Sequence, residues 1–261
     1  MPSNSAASAS YPSLAGKRVF VSGGGSGIGA AMVAQFAAQG CKVSFCDIDG
    51  AASEALVTRL GASSARYFEC DLRDIDALRA TLTQAAAWEG SIEILLNNAA
   101  RDDRHKMEDV TVEYWDERLA VNLRHQFFAI QAVAPAMIAA KAGSIINMGS
   151  ISWMRAVPGM VGYTTAKAAI NGLTRTMSRE LGLYNIRVNS VVPGAILTER
   201  QERLWLTPEV NRGFLANQCL KFRLDADDVA RAALFLASDE ARGITGHNLI
   251  VDAGLAQTNA G

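Results

Sequence analysis

Residues 18–29 read Arg-Val-Phe-Val-Ser-Gly-Gly-Gly-Ser-Gly-Ile-Gly, an apolar run of strand length that breaks into five glycines among eight residues. Downstream, Ile28, Met32, Val33 and Phe36 recur at the three- and four-residue spacing of a helix. The stretch therefore predicts a strand, a tight glycine turn and a helix that begins at the turn. Glycines let the backbone turn sharply and approach a ligand closely, and the helix N-terminus favours an anion such as a pyrophosphate. The spacing is GxxxGxG rather than GxGxxG, and a glycine-rich turn without a ligand has the same local chemistry. Its position in the first strand–helix unit favours the dinucleotide reading, with Gly23, Gly25, Ser26, Gly27 and Ile28 in contact.

The alternation continues outward from this unit. Apolar runs recur at residues 18–22, 42–46, 65–70, 92–96, 144–148, 186–191 and 248–251, with helical patterns between them. Nearly continuous apolar strands alternating with helices predict an α/β fold, a doubly wound Rossmann-type parallel sheet covered on both faces. With 261 residues and no repeat or linker, one domain over residues 14–261 is expected, preceded by a disordered tail at 1–13. Residues 198–220 interrupt the rhythm with polar residues, Trp205 and Pro208, and are expected to form a lid.

Composition narrows the function. A net charge of -1 gives no general field for nucleic acid or anionic lipid. No run approaches the ~18 apolar residues of a spanning helix, so no membrane partner is expected. The four cysteines (41, 46, 70 and 219) lack paired spacing and read as free thiols of a cytoplasmic protein. His105, His125 and His247 are scattered and predict no metal site.

Asp47 ends the second apolar run, 20 residues after Gly27. A carboxylate there can accept both ribose hydroxyls and repels a 2′-phosphate, so Asp47, with Ile48, points to NAD. The alternative is that Asp47 or Asp49 caps the next helix. Asp71-Leu72 and Asn98-Ala99-Ala100 follow the third and fourth runs at the edge where open sheets bind ligands, although each also suits an ordinary turn.

Tyr163 and Lys167 lie four residues apart in a helix-forming segment and so share a face. An ammonium neighbour favours a phenolate, which would turn a poor base into a usable one. Ser150, 13 residues earlier at a strand end, could hold the substrate oxygen. A YxxxK pair alone is common on exposed helices; the conjunction with the glycine turn and Asp47 is not.

These features, in this order, resemble the short-chain dehydrogenase/reductase family from Leu14 to Leu255. The resemblance implies Tyr163 as general acid/base, Lys167 as ribose ligand and pKa depressor, and Ser150 as substrate orienter. It implies that Asn122 holds a water in a proton relay, and that Pro193, Gly194, Ile196 and Thr198 embrace the nicotinamide. Ser22 stands where the family more often has threonine. It further implies a homotetramer built on faces within 112–140 and 163–183.

For substrate, the polar loop 101–106 and nearby tryptophans suit a polyhydroxylated molecule, with Ser152, Arg104, His105, Trp153 and Trp205 as candidates and Arg155 a possible selector of anions. A solvated loop is the competing account. Residues 101–125, 149–153 and 217–221 are similar to the family's aldose 1-dehydrogenases, implying hydride transfer from C1 of a sugar to NAD and release of a lactone. A 3-oxoacyl or polyol enzyme and a non-catalytic NAD-binding protein remain as alternatives.

Overall fold

The computed structural model describes residues 9–205 and 207–257. Among them, seven strands form one parallel sheet: β1 (Arg18–Ser22), β2 (Lys42–Asp47), β3 (Ala65–Glu69), β4 (Ile94–Asn97), β5 (Gly143–Met148), β6 (Ile186–Pro193) and β9 (Asn248–Val251). A second, two-stranded parallel pair joins β7 (Ile196–Leu197) to β8 (Leu224–Asp225). The large sheet runs β3-β2-β1-β4-β5-β6-β9, so the chain winds one way from β1 and then, at β4, the other. Ligands of such sheets bind outside the carboxyl ends of the strands where the order reverses, here between β1 and β4.

The expected strands are all present, with ends shifted by at most two residues. Strand residues alternate between two cores. Val19, Val21, Val43, Phe45 and Leu96 face α1 (Gly27–Ala38) and α9 (Ala226–Ala237), where Met32, Phe36, Val229 and Leu234 cover them. Phe20, Leu95, Ile145 and Val188 face the other side, covered by α3 (Ile75–Glu89), α5 (His125–Ala140) and α6 (Val161–Leu181) through Leu78, Ile130, Met137 and Leu181. Burial on both faces explains why these strands carry so few polar residues. Truncating a side chain such as Phe20, which is 0% exposed, would cost about 3–5 kcal/mol.

One polar row crosses this apolar sheet. The register aligns Cys46, Ser22, Asn97, Asn147, Ser190 and Asn248 side by side near the carboxyl ends. Within it Asn97 Nδ2 donates to Asn147 Oδ1 at 2.9 Å, and Asn147 Nδ2 donates to Thr174 Oγ1 at 3.0 Å. Apolar strands thus become hydrogen-bonding where they approach the site.

The remaining helices are α2 (Gly50–Leu60), α4 (Val112–Leu119), α7 (Glu199–Leu204) and α8 (Pro208–Asn217). The expected long helix before Ser150 is α4 and α5 joined by a π-helical turn at Ala120–Arg124. The expected lid contains α7 and α8, with Thr198 and Thr207 capping them. The expected tail needs correction: residues 1–8 lie outside the described residues, but Pro12–Leu14 forms a 3-10 turn and Leu14 is buried. The Tyr11 amide donates to Gln39 Oε1 at 2.9 Å, which fastens the start of the chain to the end of α1.

Candidate active site

The glycine turn is shaped by close approach. A Cβ on Gly29 would sit 1.8 Å from the Gly23 carbonyl oxygen, so α1 can press against the turn only through a glycine. Ser26 caps α1 in extended geometry with no side-chain hydrogen bond to the first turn, which leaves those N–H groups for an anion. The Ser22 hydroxyl accepts from the Asn98 and Ala99 amides at 3.0 and 3.3 Å, and Asn98 Nδ2 donates to the Gly23 carbonyl at 2.8 Å. Serine in place of threonine therefore keeps the bond that ties β1 to β4.

Asp47 Oδ2 accepts from the Gly25 amide at 2.8 Å, and Oδ1 accepts from the Ile48 amide at 2.8 Å. The helix cap is Asp49, whose side chain accepts from the Ala52 amide, so the capping alternative for Asp47 falls away. Asp47 stands at the mouth of the glycine turn, beside the exposed Ile48. Further along this edge Asp71 is bound by Arg73, whose hydrogen bonds hold its carboxyl below the usual range, and Leu72 is buried. A turn that admits close backbone approach, uncapped amides and a carboxylate at the end of the neighbouring strand together suit a dinucleotide.

Beyond the turn lies a cleft of about 170 Å³ bordered by Ile28, Asn98, Ala100, Ser150, Tyr163 and Lys167, and by Pro193, Gly194, Ile196, Thr198 and Trp205. Eleven residues that sequence reasoning spread over six segments thus meet in one place. Tyr163 lies in the first turn of α6, with Lys167 one turn later. Lys167 is 2% exposed; its Nζ donates to the Met148 carbonyl at 2.6 Å and lies 5.5 Å from the centre of the Tyr163 ring. Tyr163 and Ser150 are hydrogen-bonded through their side chains. Ser150 Oγ also accepts from the Ser152 amide at 3.1 Å, so buried Ser152 positions Ser150 and does not border the cleft.

Burial pushes the Tyr163 phenol up to about 12, although the Ser150 hydrogen bond pulls the other way. Burial also draws the Lys167 ammonium down to about 7. Each is penalised in its charged form.

The Asn122 side chain is held by main-chain groups. In the π-helical turn its Oδ1 accepts from the Arg101 amide at 2.9 Å, and Nδ2 donates to the carbonyls of Arg101 at 3.2 Å and Arg118 at 2.9 Å. Its side chain clamps the loop after β4, leaving no amide hydrogen for a water. His125 is fully buried with Nε2 3.1 Å from the Ala99 oxygen, and burial followed by the Lys167 charge draws it down to about 4.

Other substrate candidates divide. Trp205 borders the cleft with the Arg104 guanidinium 5.5 Å from its ring centre. His105 does not reach the cleft; its ring packs edge-on against Tyr114 at 5.1 Å. Trp153 is exposed away from it, and Arg155 donates to the Leu255 carbonyl. The polar loop is mostly bound up in ion pairs: Asp103 with Arg101, Arg118 and Arg200, and Asp102 with Arg200. Asp102, Arg200 and Gln201 border the cleft and were missed, because only the fold brings α7 over the loop after β4. Among the described residues, no group of three His, Cys, Asp or Glu could hold a metal, and no helix is long and apolar enough to cross a membrane.

Comparison with known proteins accords with this geometry. The family model described as Enoyl-(Acyl carrier protein) reductase matches residues 23–256. D-xylose 1-dehydrogenase of Caulobacter vibrioides is 51% identical over 249 residues, covering 95% of this chain and 98% of that protein. The "Probable galactose dehydrogenase" of Rhizobium meliloti is 48% identical over 251 residues, with coverage of 95% and 98%. The crystal structure of a "putative short-chain alcohol dehydrogenase" from Sinorhizobium meliloti superposes with a TM-score of 0.88 at 28% identity, covering 95% of this chain and 100% of that one. With its turn, its cleft and these relatives, the chain belongs to the short-chain dehydrogenase/reductase family of oxidoreductases.

Proposed function

We propose that this enzyme oxidises an aldose at C1 with NAD, giving the lactone, NADH and a proton. The observation that carries the sugar assignment is the pair of relatives named for D-xylose and galactose, each near half identity across 95% of the chain. A cleft bordered by Ser150, Tyr163, Asp102 and Trp205 supports it, since hydroxyl-bonding groups beside an aromatic face suit a polyol.

The residues present fit NAD. Gly23, Gly25, Ser26, Gly27 and Ile28 would hold the pyrophosphate, and Asp47 with Ile48 the adenosine ribose. Asp71, Leu72, Asn98, Ala99 and Ala100 would line the adenosine side; Tyr163, Lys167, Pro193, Gly194, Ile196 and Thr198 would face the other half. When bound, NAD supplies the hydride acceptor. Ser150 then holds the C1 oxygen and Tyr163 takes its proton as the C1 carbon–hydrogen bond breaks. The single negative charge of Asp47 supports NAD over NADP through repulsion of a 2′-phosphate. Ser150 and Tyr163 are half-buried and both border the cleft, so the hydrogen bond between them faces the space a substrate would fill. A homotetramer in the cytoplasm completes the proposal.

Purified protein should form NADH with at least one of D-xylose, L-arabinose, D-galactose or L-fucose. Tyr163→Phe keeps the ring and should lower kcat on the order of 100-fold or more while NAD affinity changes little. No NADH from such a panel removes the sugar assignment; near-normal turnover by Tyr163→Phe removes the mechanism.

A further inference from the structure

Two adjacent aspartates follow Arg101, and the fold uses them differently. Asp103 is fully committed: Oδ1 accepts from Arg200 at 2.8 Å, while Oδ2 accepts from Arg118 at 2.7 Å and faces Arg101 at 3.2 Å. Asp103 therefore suffices to fasten α7 and α4 to the loop after β4. Asp102 is tied loosely. Arg200 Nε comes no nearer than 3.4 Å to its Oδ1, and no hydrogen bond among the described residues reaches its Oδ2. Its side chain is 31% exposed, and it borders the cleft with Ser150 and Tyr163. Its charge reaches both Tyr163 and Lys167 and raises each of them.

We propose that Asp102 is a specificity-determining residue whose carboxylate accepts a hydroxyl of the substrate at a carbon other than C1. The inference rests on the aldose reading and deepens it. An ionised carboxylate only accepts hydrogen bonds, with two lone pairs on each oxygen. The ligand group it selects must therefore be a donor, which a sugar hydroxyl is and an acyl chain or a phosphate is not. The Asp102 charge likewise disfavours sugar acids. Trp205 borders the same cleft and offers the apolar face that sugar rings pack on. Arg200, held by Asp103, approaches only one Asp102 oxygen and leaves the second for a ligand.

The test compares wild type with Asp102→Asn on the aldose turned over fastest and on its 2-, 3- and 4-deoxy analogues. Loss of a hydrogen bond to a charged acceptor should lower kcat/KM for the aldose on the order of 10- to 100-fold. The NAD dissociation constant, followed by fluorescence, should stay within about twofold, which shows that the variant is folded. For one deoxy analogue, the one lacking the contacted hydroxyl, the variant should lose nothing further, as a thermodynamic cycle requires. Unchanged kcat/KM for the aldose, or an equal loss on every analogue, overturns the role of Asp102 and leaves the aldose reading standing. Absence of wild-type turnover on any aldose overturns both.

Discussion

Burial lowers the Lys167 amine to about 7 and raises the Tyr163 phenol to about 12. Within that range the pair is a neutral phenol beside a neutral amine. The catalytic form, phenolate beside ammonium, contains the same number of protons, so its share of the population is independent of pH there. Below about pH 7 a second proton converts the pair to phenol and ammonium, and the base is lost tenfold per pH unit. The expected profile of kcat/KM for the sugar, at saturating NAD, therefore climbs with unit slope on a logarithmic scale to about pH 7 and then levels. At pH 5 the rate should be roughly 100-fold below the plateau. Lys167→Met removes the amine and leaves Tyr163 to ionise alone. Its much lower activity should keep rising through pH 10. The assay is initial NADH formation in overlapping buffers from pH 5 to 10.5. A wild-type rate that continues to rise tenfold per unit from pH 7 to 10 would refute phenolate beside ammonium as the catalytic form, since the phenol would then be titrating by itself.

The same pair makes an independent stability statement. Between about 7 and 10.5 the unfolded chain binds the Lys167 proton and the folded chain does not, so folded stability rises with pH across that window. The full gap corresponds to up to about 5 kcal/mol. For Tyr163 the sign reverses, because its folded value is raised: that contribution is lost as pH climbs from 10 to about 12. Wild-type Tm should increase from pH 6.5 to 9 more steeply than that of Lys167→Met, and equal slopes would mean that the buried amine keeps its ordinary proton affinity.

Three further outcomes are expected. Asp47→Ala should weaken NAD on the order of tenfold and narrow the preference over NADP, and wild-type kcat/KM that is equal or better with NADP would count against the ribose role. Gly29→Ala places a Cβ 1.8 Å from the Gly23 oxygen, so it should abolish measurable NAD binding and lower stability by about 1–3 kcal/mol; calorimetric titration showing intact affinity would contradict the packing argument. Light scattering should report a tetramer, and a stable monomer at micromolar concentration would dismiss the expected assembly.

What was legible in the chain is what repeats or is locally encoded. Seven apolar runs specified the sheet because strands buried on both faces must be apolar along their whole length, and β1 and β9 were placed to the residue. The glycine turn was legible because close backbone approach leaves no alternative residue at Gly29. Spacing alone placed Tyr163 above Lys167, and sequence order placed Ser150 at a strand end. Environment was not legible. The proximity of Lys167 to Tyr163 suggested a charge that depresses the phenol, whereas burial, which spacing does not reveal, penalises the charged form of each. Asn122 carried a role by resemblance; the bonds of its amide to the carbonyls of Arg101, in the loop after β4, and of Arg118, in α4, had no signal in the sequence.

The charged loop shows most clearly where sequence reasoning stops. Arg101, Asp102, Asp103 and Arg104 form one polar stretch, and nothing in their order separates a solvated loop from a binding surface. The separation is made by Arg118 and Arg200, from α4 and α7, which meet at Asp103 and leave Asp102 with a spare oxygen at the cleft. A single aspartate between them would have to serve both fastening and recognition. With two, the fastening ion pairs at Asp103 hold the arginines, and the neighbour keeps a carboxylate available at the cleft. The division of labour is a property of three segments at once, which is why it lies in the fold and not in any one of them.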